Sequence, residues 1–449
     1  MTVIDPGFTR RRMLLGAAAL SLSACCRPWS GQTDVVIVGA GAAGIGAAQT
    51  LASLGRRSIV LEAQDRIGGR AFTDAKTFGA PFDIGCAWIH AAKTNPFYQF
   101  ALERGFHLHY HKLELNQIYY GPRRQSGTFV GSEHEAEETI GTTAENAAKA
   151  RQDVSMASLM TGWAPPDDAA ATNMGPMDAA VDFKNESVFD FSGEAGAEYD
   201  PNYLVKEGFG ALVAQVGRGM NVWLSTPVSA IDYRGGGVEV TTARGTVSAR
   251  AVIVTPSVGV LARNGVRFAP GLPKATQDAV HALPMGLLTK IPMLISGNED
   301  FGIQPYENVL DEDSAKLDDV YFLAWPWNTR LMVGFLGGRY AWEMAGAPDA
   351  DTIDFAKGKL AEVCGSSVKS KVSQALVTPW ARNPWTRGAY SAQAPGHYDA
   401  RAALRIPVAG RVFFAGEAVA EDGLFATCGG AYLSGQSVAR AVSDTLPPP

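Results

Sequence analysis

Apolar residues in this chain fall into two patterns, short unbroken runs and longer mixed stretches. Asp34-Val35-Val36-Ile37-Val38 is an unbroken β-branched run with no polar alternation, which predicts a strand buried on both faces, as in a parallel sheet. Gly39-Ala40-Gly41-Ala42-Ala43-Gly44 follows directly, and residues 45–54 read as an Ala-rich helix closed by Gly55. Arg57-Ser58-Ile59-Val60-Leu61 is a second strand, with an acid, Glu62, at its end. Residues 226–233 and 237–240 read as a β-hairpin, and Val252-Ile253-Val254 as another buried strand. Phe413-Phe414-Ala415 runs into a Gly416-Glu417 turn, and Gly430-Ala431-Tyr432-Leu433-Ser434-Gly435 opens a final helix. The stretch from Glu133 to Met174 is rich in Ala, Glu and Met, which predicts helix with a break at Pro165-Pro166. No internal repeat is seen.

Composition narrows the class. The 449 residues are 46% hydrophobic and 19% charged, which excludes disorder as the dominant state and gives room for two to three domains. There are 49 glycines, well above the usual ~7%, so many tight turns or close backbone approaches to a ligand are expected. The net charge of −6 leaves no basic footprint for nucleic acid. Five cysteines are too few and too scattered for a disulfide framework. Cys86, Cys364 and Cys428 stand alone, and no Cys-x-x-Cys spacing suggests zinc, so buried thiols are expected. His107, His109 and His111 alternate as on one strand face; a fourth ligand is lacking, a half-exposed strand explains the pattern, and no metal is expected.

The N-terminus reads as an address. Thr9-Arg10-Arg11-Arg12-Met13-Leu14-Leu15 precedes a short apolar run over 16–22, too short to span a membrane. Residues 1–24 therefore form an export signal. Its paired arginines resemble a twin-arginine signal, and Leu22-Ser23-Ala24-Cys25 resembles a bacterial lipobox, implying periplasmic export with a possible lipid anchor at Cys25. An ordinary cleaved secretory signal or a flexible tail is the alternative.

The first strand, the glycine turn, the helix and the second strand together make a βαβ dinucleotide fingerprint. Gly39 permits the tight turn, Gly41 lets a pyrophosphate approach the backbone, and Gly44 lets helix and strand pack closely. The helix N-terminus, which includes Ala43, faces the phosphates, and Glu62, followed by Ala63, can accept from ribose hydroxyls. The fingerprint alone leaves NAD and FAD open. Arg66-Ile67-Gly68-Gly69-Arg70 then places exposed backbone N–H groups, Gly69 among them, beside two guanidiniums including Arg70.

From here the chain resembles the flavin-containing amine oxidase family, in particular its polyamine oxidases. The R-x-G-G-R element carries the resemblance, as do Asp83-Ile84-Gly85-Cys86-Ala87-Trp88-Ile89-His90 with Asn95-Pro96, Thr226-Pro227-Val228, Leu287-Leu288-Thr289-Lys290-Ile291, Gly388-Ala389-Tyr390-Ser391, and the segments around Glu417 and Tyr432. It spans roughly 33–445 and is weakest over 112–200 and 297–375; Ala91 stands where the family has Gly. The resemblance implies an α/β fold: a discontinuous FAD-binding Rossmann-like domain over 33–105, 205–295 and 383–445, with an inserted α+β substrate domain of amine-oxidase type over 106–204 and 296–382. It implies FAD held by the fingerprint residues together with Trp88, Val228, Trp385, Gly416, Glu417 and Thr427. Ala389 stands where some monoamine oxidases carry a flavin-linked cysteine, so the FAD is expected to be non-covalent.

The implied reaction is oxidation of a primary or secondary amine, a polyamine or a monoamine, to an imine by hydride transfer to flavin N5, with reoxidation by O2, giving H2O2, or by a periplasmic acceptor. A free alkylamine has a pKa of ~10.4, so losing its proton at neutral pH costs ~4 kcal/mol, part of which a desolvating aromatic slot offsets. Tyr390 and Tyr432 are the implied walls of that slot. Lys290 would hold a water against flavin N5, and His90 would contact the substrate nitrogen. Glu198, Asp200, Glu207, Glu421 and Asp422 are acids available for a distal ammonium. Three other readings stand beside this one. An L-amino acid oxidase would want an arginine soon after Asp83, where the chain has Cys86-Ala87-Trp88. An isoprenoid desaturase fits poorly with Lys290 and the two tyrosines. A FAD-bound lipoprotein without turnover, acting as a binding or assembly factor, belongs to another class.

Overall fold

The computed structural model of the protein describes residues 33–162, 164–196, 200–312, 318–421 and 423–448. The export segment 1–24, Cys25, Cys26, Glu198 and Asp422 lie outside these residues.

Strand β1 (Thr33–Val38), helix α1 (Ala42–Ser53) and strand β2 (Ser58–Leu61) form where the sequence predicts them. β1 pairs in parallel with β2 on one side and with the strand Gly245–Val254 on the other, Val35 facing both Ser58 and Ala251. Its valines are fully buried, as an unbroken β-branched run requires. Around this centre an eight-stranded sheet runs Val222–Trp223, β2, β1, Gly245–Val254, Val238–Thr242, Val228–Asp232 and Arg267–Ala269, with Val412–Phe414 also pairing on Gly245–Val254. The hairpin expected over 226–240 is antiparallel, and Val238–Thr242 also pairs antiparallel with Gly245–Val254.

Two helices cover one another on this sheet. A Cβ on Gly46 of α1 would lie 2.3 Å from the Tyr432 carbonyl, and one on Gly435 of the terminal helix (Cys428–Thr445) would lie 2.0 Å from the Ala43 carbonyl. The helices therefore cross backbone to backbone, with glycine on each side of the contact.

A second sheet of seven strands runs Val372–Ala375, Leu288–Ile295, Leu331–Gly337, Val320–Ala324, Asn308–Glu312, Gln117–Tyr120 and Arg123–Arg124. Leu288–Ile295, within the stretch expected for the nucleotide domain, is paired here against Leu331–Gly337. Lys290 is the third residue of this strand, opposite Phe335. The helical part differs from expectation at its prolines. The helix Gly127–Lys149 ends well before them, a short helix Met156–Leu159 follows, and Pro165 and Pro166 open a further helix, Pro165–Thr172, where a missing N–H is harmless. A π-helical turn, Asn173–Ala179, continues it. Among the described residues no helix is long and apolar enough to cross a membrane.

If the helix crossing sets the fold, Gly435→Ala should lower the unfolding midpoint, with overpacking of about 1–3 kcal/mol. Gly236→Ala, whose added Cβ meets nothing within 4 Å, should leave it nearly unchanged; thermal melts of both variants test this.

Candidate active site

The chain ends of the first sheet build a cradle. Gly39 has φ +101°, and a Cβ there would lie 2.4 Å from Thr255 Oγ1, which itself donates to the Val38 carbonyl at 2.7 Å. A Cβ on Gly44 would lie 2.0 Å from the Gly39 carbonyl, so helix and turn touch as the fingerprint requires. Gly41 is the N-cap of α1, which has no side-chain cap and no acid in its first turn. Its leading N–H groups and positive dipole end thus remain for an anion. Across from it, Gly68 N donates to the Ala40 carbonyl at 2.8 Å, and a Cβ on Gly69 would come within 3.2 Å of Gly41 Cα. Two glycine turns face each other with no side chain between them. Glu62 closes the β2 end: its Oε2 accepts from Ala40 N at 2.6 Å and its Oε1 from Gln64 N at 2.8 Å. The cradle opens into a cavity of about 980 Å³, at the upper end of ligand-pocket sizes of ~300–1,000 Å³. An uncapped helix start, bare glycine turns and a terminal acid opening on that volume fit a dinucleotide flavin.

Of the cofactor residues expected from the sequence, Gly39, Gly41, Ala43, Glu62, Ala63, Gly69, Arg70, Trp88, Val228, Trp385, Gly416, Glu417 and Thr427 all line this cavity, while Gly44 sits behind it. Arg66 packs over the Phe72 ring, 4.1 Å from its centroid, so Arg70 alone of the two guanidiniums lines the cavity. Arg70 donates to the Ala389 carbonyl and to Glu417 Oε1, both at 2.8 Å. Glu417 also accepts from Ser391 Oγ at 2.6 Å. Burial works to raise the Glu417 carboxyl, but Arg70, Ser391 and Arg401 outweigh it and hold it below the usual carboxylate range. Arg401 in turn bonds Ser391 Oγ at 3.0 Å and grips Asp190 through two bonds of 2.7 Å. This buried chain of alternating charges ties the terminal segment to the loop carrying Tyr390. Neither Arg401 nor Asp190 carries a motif, and the sequence reading did not find them.

Lys290 enters the cavity from the second sheet. Its Nζ donates to the carbonyls of Asp83 at 2.9 Å and Gly85 at 2.5 Å, with the rings of Phe82, Trp88 and Phe335 all within 6 Å. Burial pushes its pKa down to about 8, with the nearby Asp83 charge opposing. Asp83 itself is bound by Thr73 and by the N–H groups of Phe209 and Gly210, at the start of the helix Phe209–Val216. His90 lines the cavity, bonds Asn202 Oδ1 at 2.8 Å through Nδ1, and is held below its ordinary pKa by burial, hence neutral. Trp88 donates to His111 Nδ1 at 3.0 Å.

The three alternating histidines do not converge. His107 pairs with Glu207, His109 stacks on Tyr306 at 3.7 Å, and His111 sits between Trp88 and the Tyr306 carbonyl.

The expected pair of tyrosine walls is corrected. Tyr390 lines the cavity and donates its hydroxyl to the Asp178 carbonyl at 2.5 Å. Tyr432 does not line it. Its ring is 3% exposed, edge-on to Phe97 and Phe100, with its hydroxyl on Gln49 Oε1 of α1 at 2.7 Å. The rotation of the terminal helix decides this: Thr427, Cys428 and Ala431 take the cavity face, and the next side chain turns into the core between helices. Trp380 takes part in the wall instead, with its Nε1 on the Ile84 carbonyl at 3.0 Å.

The other side of the cavity was not legible in the sequence. Asn173, Met174, Met177 and Asp178 reach it from the π-helical turn, a kind of irregularity common at functional sites. Glu137 and Glu114 join them, and Asn173 Nδ2 donates to Glu137 at 2.8 Å. Enclosure by protein, then the Glu137 charge, pushes Asp178 up to about 6. Burial raises Glu137 as well. Of the acids expected to hold a distal cation, Asp200 lines the cavity, whereas Glu207 is bound to His107 and Glu421 to Arg405 at the surface.

Comparison with known proteins agrees with this geometry. A family profile described as "Flavin containing amine oxidoreductase" matches residues 42–443. Lysine-specific histone demethylase 2 of Homo sapiens is 26% identical over 452 residues, covering 91% of this chain and 53% of its own length, so the chain spans about half of that relative. Polyamine oxidase 4 of Oryza sativa subsp. japonica is 27% identical over 455 residues, covering 95% of this chain and 91% of its own. A structure of wild-type putrescine oxidase bound to putrescine aligns with a TM-score of 0.76 at 20% identity, over 92% of this chain and 99% of that one, and shows a common fold.

The burial of Lys290 has a measurable sign. Between pH 8 and 10.5 the unfolded chain holds a proton that the folded one has released, so stability from this group rises with pH across that window. The unfolding free energy of the wild type relative to Lys290→Met should climb there, by about 1.4 kcal/mol per pH unit at most. Denaturant titrations of both proteins across that range test it, and a flat difference would refute the buried ammonium.

Proposed function

The chain belongs to the flavin-containing amine oxidoreductase family, and from that premise we propose that it oxidises a primary or secondary amine bearing a second cationic group. The cofactor is FAD. When bound, it supplies the two-electron acceptor for the hydride equivalent on the carbon next to the amine nitrogen.

The α1 N-terminus, Gly41, Gly69 and Arg70 would hold its phosphates, and Glu62 its ribose. Ala389 offers no thiol for a covalent link, which supports non-covalent binding. Lys290, at about 8, is poised to hold or release a proton near neutral pH and to fix a water with its remaining N–H. Tyr390, Trp88, Trp380 and Phe335 line the same cavity and exclude water from an amine, favouring its uncharged form. Neutral His90 adds an uncharged polar contact there.

The observation carrying the substrate class is the juxtaposition of Met174 and Met177 with Glu137 and Asp178 in the cavity that holds Lys290 and Tyr390. Thioether side chains suit a methylene chain, and enclosed carboxylates suit a distal ammonium. The only cationic side chains among the described lining residues are Arg70, Lys112 and Lys290; Arg70 is paired with Glu417, Lys112 with Glu114, and Lys290 with two backbone carbonyls. That supports an amine over an amino acid, whose carboxylate would need a free cation. Reoxidation by O2, giving H2O2, or by a periplasmic acceptor completes the proposed cycle. The N-terminal arginines and the Leu22-Ser23-Ala24-Cys25 motif support periplasmic export with a lipid anchor at Cys25. Cys25→Ser should then move the protein from the membrane fraction to the soluble periplasm.

Anaerobic addition of diamines, polyamines and aromatic monoamines to the yellow protein tests the activity. Bleaching is expected, fastest with a dicationic amine. If none of these amines bleaches the flavin, the activity is refuted. Asp178→Asn and Glu137→Gln should each lower kcat/KM for an α,ω-diamine ~10-fold or more, with little effect on a monoamine. The diamine preference should fade as the pH falls through about 6, where Asp178 takes up its proton.

A further inference from the structure

Trp88 lines the cavity with its ring among three groups already described. The ring centre lies 5.9 Å from Lys290 Nζ, stacks near His90 at 6.3 Å between centroids, and tilts against Phe335 at 5.8 Å. An indole carries one polar group, an N–H that can only donate. Here it donates to His111 Nδ1 at 3.0 Å. His111 is 3% exposed and does not line the cavity, so the N–H is bonded behind the wall.

This bond dictates the state of the histidine. A nitrogen that accepts from an indole carries no proton, so Nε2, 3.0 Å from the Tyr306 carbonyl, holds the proton and donates it there. Only neutral His111 protonated on Nε2 meets both partners. Burial, the largest influence, holds the ring below its ordinary pKa, in agreement. The receiving residue is itself fixed: the Tyr306 ring stacks on His109 at 3.7 Å, and its N–H donates to the Ala324 carbonyl at 2.7 Å. The backbone of His111 reaches the same wall. Its N–H donates to the Asn202 carbonyl at 2.9 Å, and Asn202 Oδ1 bonds His90 Nδ1 at 2.8 Å. Given that this cavity is the amine site, we propose that His111 is a positioning residue for the oxidation: as its Nε2-protonated tautomer it sets the rotation of Trp88 and holds the indole N–H away from the substrate. An unbonded indole N–H in a water-poor cavity would donate to the lone pair of the uncharged amine, the pair that forms the C=N bond as hydride leaves the neighbouring carbon. Bonded to His111, the indole presents its apolar ring to the amine instead.

The test uses the flavin-loaded full chain labelled with nitrogen-15 tryptophan, Trp88→Phe identifying the Trp88 indole signal. In the wild type that proton should resonate downfield, as a bonded indole does. His111→Leu removes the acceptor, and should move the signal upfield and lower kcat/KM for a diamine about 5- to 10-fold, the weight of one buried hydrogen bond. In the Trp88→Phe background the same substitution should cost almost nothing further. His111→Asn places an amide oxygen two bonds from Cβ, as Nδ1 is, and should restore both readouts; a merely structural role would give the Leu and Asn variants the same loss. An indole signal or a kcat/KM unmoved in His111→Leu would overturn the proposal. If the variants fail to fold, nitrogen-15 histidine spectra of the wild type decide it, because a protonated Nδ1 on His111 is incompatible with it. Should no amine reduce the wild-type flavin, the activity fails, while the indole and tautomer signals still decide what orients Trp88.

Discussion

The crossing of α1 with the terminal helix is the contact on which the rest of the site depends. It is a backbone-to-backbone approach, and only glycine permits it at Gly46 and Gly435. It fixes where α1 begins, and therefore where its uncapped N–H groups point. It equally fixes where the terminal helix begins, and so brings Thr427 and Cys428 to the cavity. A methyl group at either glycine would push the two helix starts apart and open the cradle between them.

Charge is distributed in this molecule according to what each wall must do. Near the glycine cradle the ions are paired and buried: Arg70 with Glu417, and Arg401 with Asp190. Such pairs are weak sources of stability, but removing one partner leaves a costly orphan, so they hold geometry firmly. At the centre a single ammonium, Lys290, is held by two carbonyls and three aromatic rings and gives up its proton easily. Facing them, Glu137 and Asp178 are carboxyls raised by enclosure, a setting that a bound cation would relax. Fixed ions thus lie beside the glycine cradle, and adjustable ones on the wall built by the helix Gly127–Lys149 and the π-helical turn.

By itself the sequence determined the βαβ unit, the glycine cradle with Glu62, the hairpin, the terminal helix, and the candidates Lys290, His90 and Tyr390. All of these rest on local rules: β-branched runs make buried strands, positive φ demands glycine, and a motif holds together when its residues are near neighbours. Tertiary structure alone decided the rest. It turned Tyr432 into the core, because one residue of helical rotation separates it from the cavity face. It set Lys290 within a strand of the second sheet, joined Arg401 to Asp190, and brought Glu137, Asp178 and Trp380 to the wall. Those placements depend on the rotation of helices and on pairings between distant segments, neither of which a residue's neighbours in the chain encode.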